Sequence, residues 1–252
     1  MSIAFYRLFL FLYSIGIKVA SLFNKKARLW LEGRKNILNK LSASFKENTS
    51  PVIWFHCASL GEFEQGRTLL EQLREDYPSH KILLTFFSPS GYEVHKQYNS
   101  ADYVFYLPLD GIKNAKKFIS IAHPELIVFV KYEFWYFYLS EIKKQGIALL
   151  LVSSIFRDEQ PFFKWYGSLH RKMLRCFTQI FVQDYSSKNL LDSINIKDAT
   201  ICGDTRVDRV LEISDNWKPV DKIEGFCSTN KVIACGSTWE EDDEELNHYV
   251  NK

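Results

Sequence analysis

Hydrophobic positions in this chain form short continuous runs, which alternate with segments where they recur every three or four residues. The runs have strand length, and most are rich in β-branched or aromatic residues; they span residues 52–57, 81–86, 103–107, 126–130, 148–152, 180–183, 199–202 and 232–235. Helical patterns lie between several of them, notably at 163–177 and 187–194. Strands that are apolar throughout and alternate with helices predict an α/β fold built on a parallel sheet covered on both faces.

The pattern changes near the end of the chain. Residues 214–219, SDNWKP, are typical of a linker, and residues 231–236 predict a new strand. Ser237, Thr238 and the acid-rich segment 240–245 predict the cap and first turn of a helix. Because one strand and one helix cannot enclose a core, we expect these elements to begin a second domain, truncated at residue 252.

The N-terminus is strongly apolar. Residues 3–23 contain only Arg7 and Lys18 as charges, and a membrane-spanning helix needs roughly 20 such residues. The polar positions fall on one narrow helical face, which suits a helix at the membrane interface or a span with snorkelling cations. A basic segment follows and predicts that the downstream part is cytoplasmic; its cations are Lys25, Lys26, Arg28, Arg34 and Lys35. This basic flank argues against a cleaved signal peptide, and a buried core helix is the remaining alternative.

Amino-acid composition and the absence of several motifs disfavour a number of protein classes. The 252 residues are 46% hydrophobic and 15% aromatic, which is enough for a substantial core. A net charge of +2 argues against a nucleic-acid partner. The five cysteines show no metal-ligand spacing and are expected to be reduced. Walker A, GxGxxG, GxSxG and HExxH motifs are absent, which weakens kinase, dehydrogenase, hydrolase and zinc-protease hypotheses.

The segment 54–70, WFHCASLGEFEQGRTLL, places one carboxylate at the end of a predicted strand. Glu62 follows Gly61 where a helical pattern begins, at the edge of a parallel sheet where ligands bind. The carboxylate can act as a general base on a sugar hydroxyl, or it can simply stabilise the helix dipole. His56 and Cys57 are neighbours in the strand and therefore point to opposite faces, so we expect a packed histidine and no Cys/His nucleophile.

Two other strand ends carry polar residues. Lys131 and Glu133 follow the strand 126–130, and at a spacing of two they point the same way if the strand continues. They can contact a phosphate-bearing ligand or form a structural ion pair. Ser88 and Ser90 follow the second strand and offer an anion-binding helix start or a plain turn, and Ser237-Thr238 has the same ambiguity. A cationic, aromatic segment at 162–175 suits anionic lipid headgroups or a solvated helix face.

Several blocks occur in an order that resembles the Kdo transferases, which move 3-deoxy-D-manno-octulosonic acid (Kdo) from CMP-Kdo onto a lipid A precursor. The resemblance covers nearly the whole chain, in ASLGEFEQG, LLTFFSPSG, YLPLD, EFW, FVQD, GDTRVD and GST. It implies a GT-B-type glycosyltransferase with a Rossmann-like, acceptor-binding N-terminal domain and Glu62 as general base. The residues show no metal site, and we expect no metal or other cofactor, since protein dipoles and cations can stabilise the leaving phosphate. From their places at strand ends we expect substrate contacts from Ser59, Gly61, Ser88, Ser90, Lys131, Glu133, Ser237 and Thr238.

Two departures from the family pattern stand out. Lys131 occupies a position where the family usually has an acid, so a second acidic contribution from that position is in doubt. The donor-binding half of the family, with its Gly-rich and His/Glu motifs, is expected beyond Lys252, and the 252 residues alone are expected to be inactive.

The resulting domain prediction has four parts: a membrane-associated helix at 1–23, a basic connecting segment at 24–48, the acceptor-binding domain at 49–213, and the linker with the first donor-domain elements at 214–252. The expected location is the cytoplasmic face of the bacterial inner membrane. Two alternatives remain open, namely a membrane-docked lipid-binding module without catalysis and another nucleotide-sugar enzyme of GT-B shape, such as an epimerase.

Overall fold

The computed structural model describes residues 2–229 and 231–250. Contacts divide the chain into two compact units, Met1–Leu211 and Glu212–Lys252.

Seven parallel strands form one sheet in the order β3-β2-β1-β4-β5-β6-β7. Their bounds are Val52–Cys57 (β1), Lys81–Phe86 (β2), Tyr103–Tyr106 (β3), Pro124–Val130 (β4), Ala148–Ser154 (β5), Gln179–Val182 (β6) and Ala199–Ile201 (β7). The first seven predicted strands are confirmed, β1 and β2 to the residue. The eighth, at 232–235, is wrong, since no strand is formed within the described part of Glu212–Lys252. A single apolar run there has no neighbour to accept and donate its ladder hydrogen bonds.

Helices connect the strands and precede the sheet. They are Ile3–Ala20 (α1), Lys25–Arg34 (α2), Ile37–Ser44 (α3), Leu60–Asp76 (α4), Pro89–His95 (α5), Ile112–Ala122 (α6), Tyr136–Gln145 (α7), Ser168–Leu174 (α8), Tyr185–Ser193 (α9), Thr205–Asp215 (α10), Asp221–Cys227 (α11) and Glu240–Val250 (α12). The predicted helix at 163–177 is too long, because a 3-10 turn at Pro161–Phe163 leads into the shorter α8. Gly167 separates the two, and a Cβ there would meet the Pro161 carbonyl oxygen at 1.8 Å.

The sheet separates two hydrophobic clusters, and β1 contributes alternate residues to each. Trp54 packs on one face with Phe118 and Phe129, while Phe55 and Cys57 belong to the other face. All six residues of β1 are buried, as expected for a central strand covered on both sides. The side chains of β1 thus alternate between the two faces, as was predicted for His56 and Cys57.

Helix α1 is attached to this domain through few side chains. Tyr6 and Leu10 are its buried residues, and the Tyr6 hydroxyl donates a 2.7 Å hydrogen bond to Asp110 Oδ2. Asp110 also accepts from the backbone N–H groups of Phe137 and Tyr138, at the start of α7. Within the described residues, α1 is the one helix whose length and composition suffice to cross a membrane.

Candidate active site at the switch point of the sheet

The strand order reverses between β1 and β4. The chain leaves β1 toward β2 and β3 on one side, and from β4 it continues to β7 on the other. In open α/β sheets such a switch point opens a crevice at the carboxyl ends of the two strands, and ligands bind there. Glu62 follows β1 in the first turn of α4, and Glu133 follows β4 just before α7. The two predicted acidic site residues therefore flank the same crevice.

Glu62 is half-buried at the start of α4. Its Oε2 accepts a 3.0 Å hydrogen bond from the backbone N–H of Ser59, which precedes the helix. Burial raises the pKa of the Glu62 carboxyl above its ordinary value, and the nearby charge of Glu133 raises it further. His56 and the backbone N–H groups of Ala58 and Ser59 oppose that increase in pKa. A carboxylate with a raised pKa is a stronger base than an ordinary glutamate once it has lost its proton.

Glu133 is held rigidly from two sides. Its side chain is buried, and Oε2 lies 2.8 Å from His56 Nε2 and 2.6 Å from Trp135 Nε1, which donates to it. His56 is itself fixed, because Nδ1 lies 2.8 Å from Thr85 Oγ1, and that hydroxyl accepts from Trp54 Nε1 at 2.8 Å. A chain of hydrogen bonds thus runs across β2, β1 and β4 and ends on Glu133.

This support for Glu133 was not predicted from the sequence. His56 was expected to be a packed or hydrogen-bonded core residue, and it is fully buried and hydrogen-bonded. The partner was not identified, because it depends on the pairing of β1 with β4, in which His56 is opposite Phe129. The signal available was the polar His56 within an otherwise apolar strand. Cys57 is equally buried on the other face, and burial raises the pKa of its thiol, which opposes nucleophilic chemistry.

Lys131 does not continue β4, so the condition under which it was expected to point the same way as Glu133 is not met. Its φ of 69° is in the left-handed region, which breaks the alternation of side chains directly after Val130. Of the two alternatives for this pair, the structural ion pair is not formed in the described residues, where the ion-pair partner of Glu133 is His56. The Arg206 guanidinium holds the pKa of Asp204 below its ordinary value, and the Lys131 ammonium adds to that effect.

The small residues of the predicted site lie on the same edge of the sheet. Gly61 is exposed, and a Cβ there would meet nothing within 4 Å, so the start of α4 is open to a ligand. Ser88 begins α5, and its Oγ accepts from the Ser90 N–H at 3.3 Å and lies 3.0 Å from Ser90 Oγ. The Ser88 N–H donates to the Ala58 carbonyl at 2.6 Å, which ties this turn to the loop that carries Glu62.

Ser237 and Thr238 lie in the second unit, directly before Trp239 and α12. Their predicted substrate contacts remain predictions, as do those of Ser59, Gly61, Ser88, Ser90, Lys131 and Glu133. In residues 2–229 and 231–250, no three His, Cys, Asp or Glu side chains are grouped so as to hold a metal ion. A metal-free reaction also remains a prediction.

Comparison with known proteins adds independent information. The sequence profile of the family described as "3-Deoxy-D-manno-octulosonic-acid transferase (kdotransferase)" matches residues 33–209. A 3-deoxy-D-manno-octulosonic acid transferase of Rickettsia felis is 28% identical over 210 residues, which cover 82% of this chain and 44% of the relative. One from Chlamydia trachomatis serovar A is 26% identical over 220 residues, 82% of this chain and 50% of the relative. The chain thus spans about half the length of these curated relatives.

Solved structures share the fold at low sequence identity. The UDP-GlcNAc 2-epimerase of Neisseria meningitidis bound to UDP-GlcNAc has a TM-score of 0.51 and 15% identity, covering 71% of this chain and 53% of that chain. The corresponding enzyme of Methanocaldococcus jannaschii has a TM-score of 0.50 and 13% identity, covering 72% and 54%. These similarities confirm the predicted Rossmann-like, GT-B-type fold and carry no information on the reaction. The profile match spans most of the chain, and the chain belongs to the Kdo transferase family.

Proposed function

We propose that this chain forms the acceptor-binding half of a glycosyltransferase that moves Kdo from CMP-Kdo onto a lipid A precursor in lipopolysaccharide biosynthesis. Family membership supports the reaction class. The observation on which the proposal most depends is the position of Glu62, a half-buried carboxylate with a raised pKa at the switch point of the sheet.

In this mechanism Glu62 removes the proton from an acceptor sugar hydroxyl. The hydroxyl oxygen forms a bond to the anomeric carbon of Kdo while the bond from that carbon to the CMP phosphate oxygen breaks, which inverts the configuration. Glu62 suits this role because it is half-exposed, so a hydroxyl can approach it, and because the Ser59 N–H orients one of its oxygens. Glu133 is buried and bonded to His56 and Trp135, which suits a positioning role.

Charge around the crevice supports binding of an anionic substrate. Lys131 places an ammonium group at the end of β4, where the family usually has an acid, and Ser88 and Ser90 provide hydroxyls at the end of β2. In this proposal these groups, with Ser59 and the open backbone at Gly61, contact the acceptor. Ser237 and Thr238 contact the donor.

The proposed location is the cytoplasmic face of the inner membrane. Large apolar side chains on α1 are exposed, including Phe5, Phe11 and Leu12 at 57% or more. Exposed apolar surface of this extent along a helix with a basic flank is typical of membrane association. The cations that follow support a cytoplasmic position for the domain.

A transfer assay with CMP-Kdo and a lipid A precursor tests the proposal, run on this chain and, if it is part of a longer protein, on the whole of that protein. Transfer that depends on CMP-Kdo, and that UDP-sugars do not support, is the expected result for the active protein. Absence of transfer together with tight lipid binding would favour the alternative of a docking module without catalysis.

The membrane position has its own test. We expect removal of residues 1–23 to move the protein from the membrane pellet to the soluble fraction. Because that deletion also removes the Tyr6–Asp110 hydrogen bond, a matched variant that replaces Phe5, Phe11 and Leu12 with Ser keeps the buried attachment. Retention of both variants in the pellet would show that α1 is not the membrane anchor.

A further inference from the structure

An open cavity of about 430 Å³ lies among α1, α2, α3 and α6, in the first unit. Three cations line it, namely Lys18 of α1, Arg34 of α2 and Lys117 of α6. No acidic residue belongs to its lining in the described part of the chain. A concave surface with three positive charges and no negative one favours an anionic ligand.

Arg34 forms one wall of this cavity as a partly buried cation. Its guanidinium donates to three backbone carbonyls, those of Trp30, Phe87 and Leu107, and it stacks 3.8 Å from the centroid of the Trp30 ring. It forms no ion pair with a carboxylate within the described residues. Burial lowers the pKa of Arg34 to about 9. A partly buried cation without a negative partner carries a desolvation cost, and a bound anion would offset part of that cost.

Two neighbouring features of the cavity also concern hydrogen-bond donors. Trp30 is 7% exposed, and its indole N–H has no hydrogen-bond acceptor in the described residues. Asn36 lines the cavity and precedes α3, and its side chain does not cap the backbone N–H groups at the start of that helix. Uncapped helix starts and buried N–H donors both bind phosphate oxygens well.

The cavity adjoins the membrane-facing helix and the proposed active site. Lys18 and Ser14 of its wall belong to α1, whose apolar side chains are exposed. On the other side, Arg34 bonds to the carbonyl of Phe87, and the Phe87 ring packs on Trp135 with 4.5 Å between centroids. A lipid held at the membrane surface by its acyl chains would bring a headgroup phosphate to this cavity.

We infer that this cavity binds the phosphate of a membrane lipid headgroup, with Lys18, Arg34 and Lys117 as its charged contacts. The site requires no transfer reaction. It holds the enzyme in a fixed orientation on the membrane, which the exposed apolar side chains of α1 cannot do because hydrophobic contacts have no direction.

The test is an NMR titration of the whole chain in non-ionic detergent, with dihexanoylphosphatidic acid as lipid probe and inorganic phosphate as the second probe. The Trp30 indole signal, identified by its loss in Trp30→Phe, is expected to shift in a saturable way with the lipid. Lys117→Gln is expected to weaken lipid affinity about tenfold, because it removes a charge-assisted contact at an exposed position that does not affect folding.

Lys116→Gln is the matched control, since Lys116 is the exposed neighbour on α6 and does not line the cavity. We expect it to change lipid affinity less than twofold. Equal weakening by the two variants would mean general attraction between charges, and absence of a saturable Trp30 shift would mean no site; either result would overturn the inference. Inorganic phosphate binding as tightly as the lipid would also overturn it, in favour of a site for free phosphate.

Discussion

The loops after β1 and β4 each place a glutamate at the same crevice, but they hold it in different ways. Glu133 is 5% exposed and is bonded both to Trp135, two residues away, and to His56, which lies 77 residues away. Glu62 is half-exposed and is held by Ser59, three residues before it. A carboxylate enclosed by fixed donors gives shape to a site, whereas one at an open helix start can exchange protons with a substrate.

The largest expected difference between the two glutamates is in the turnover number, kcat. In a protein active in Kdo transfer, Glu62→Gln is expected to lower kcat by roughly 10²–10⁴, because glutamine keeps the size of the side chain but cannot accept the proton. Acceptor binding should change little. Rates are measured with saturating acceptor, beside a melting curve of each variant. If Glu62→Gln is folded and turns over nearly normally, Glu62 is not the base and Glu133 is the next carboxylate to test.

For the free energy of unfolding we expect the opposite order, with the larger loss at Glu133. Glu133→Ala leaves the buried His56 without its partner and is expected to lower the free energy of unfolding by about 3–5 kcal/mol. Glu62→Ala removes one contact at a helix start and should cost about 1 kcal/mol. Urea unfolding of both variants measures the difference. Equal losses would mean that the two loops support their glutamates in the same way.

Asp110 extends the comparison to a third carboxylate, which is buried like Glu133 and accepts hydrogen bonds from a hydroxyl and from backbone N–H groups. Burial raises the pKa of Asp110 to about 6 from 3.8, so the folded state binds this proton more tightly than the unfolded state. This contribution to stability is therefore present below about pH 4 and is lost as pH rises to about 6, a decline of roughly 3 kcal/mol.

Asp110→Asn is expected to remove that decline, although the amide cannot satisfy all three donors and lowers stability at every pH. The measurement is the free energy of unfolding of both proteins between pH 4 and 7. An unchanged slope in the variant would assign the pH dependence to other groups.

The periodicity of hydrophobic residues was sufficient to predict most of the fold. β1 and β2 were predicted to the residue, and each apolar run is bounded within two positions on either side by a serine or a proline. The helix predicted at 163–177 was too long, because amphipathic spacing does not register the close backbone contact at Gly167. The strand predicted at 232–235 was wrong, because an apolar run alone does not show whether a neighbouring strand is present to form the ladder hydrogen bonds.

The positions of the candidate site residues could be predicted from the sequence, but the hydrogen bonds between them could not. Glu62 and Glu133 were placed at strand ends from sequence, and the carboxyl edge of a parallel sheet made their proximity plausible. The bond between His56 and Glu133 depends on which strands are neighbours, and short apolar runs do not encode strand order. The left-handed backbone at Lys131 was equally hidden, since lysine rarely adopts that conformation.

The neighbouring position of β1 and β4 also has a consequence for folding kinetics. Their pairing joins segments separated by β2, β3 and the intervening helices, so a long loop must close before His56 meets Glu133. Non-local pairing in a parallel sheet forms slowly compared with local helices. The crevice is therefore expected to assemble after the helices, and during synthesis it cannot exist until β4 has left the ribosome. An early pause or cleavage before β4 would yield a chain that contains Glu62 and no site around it.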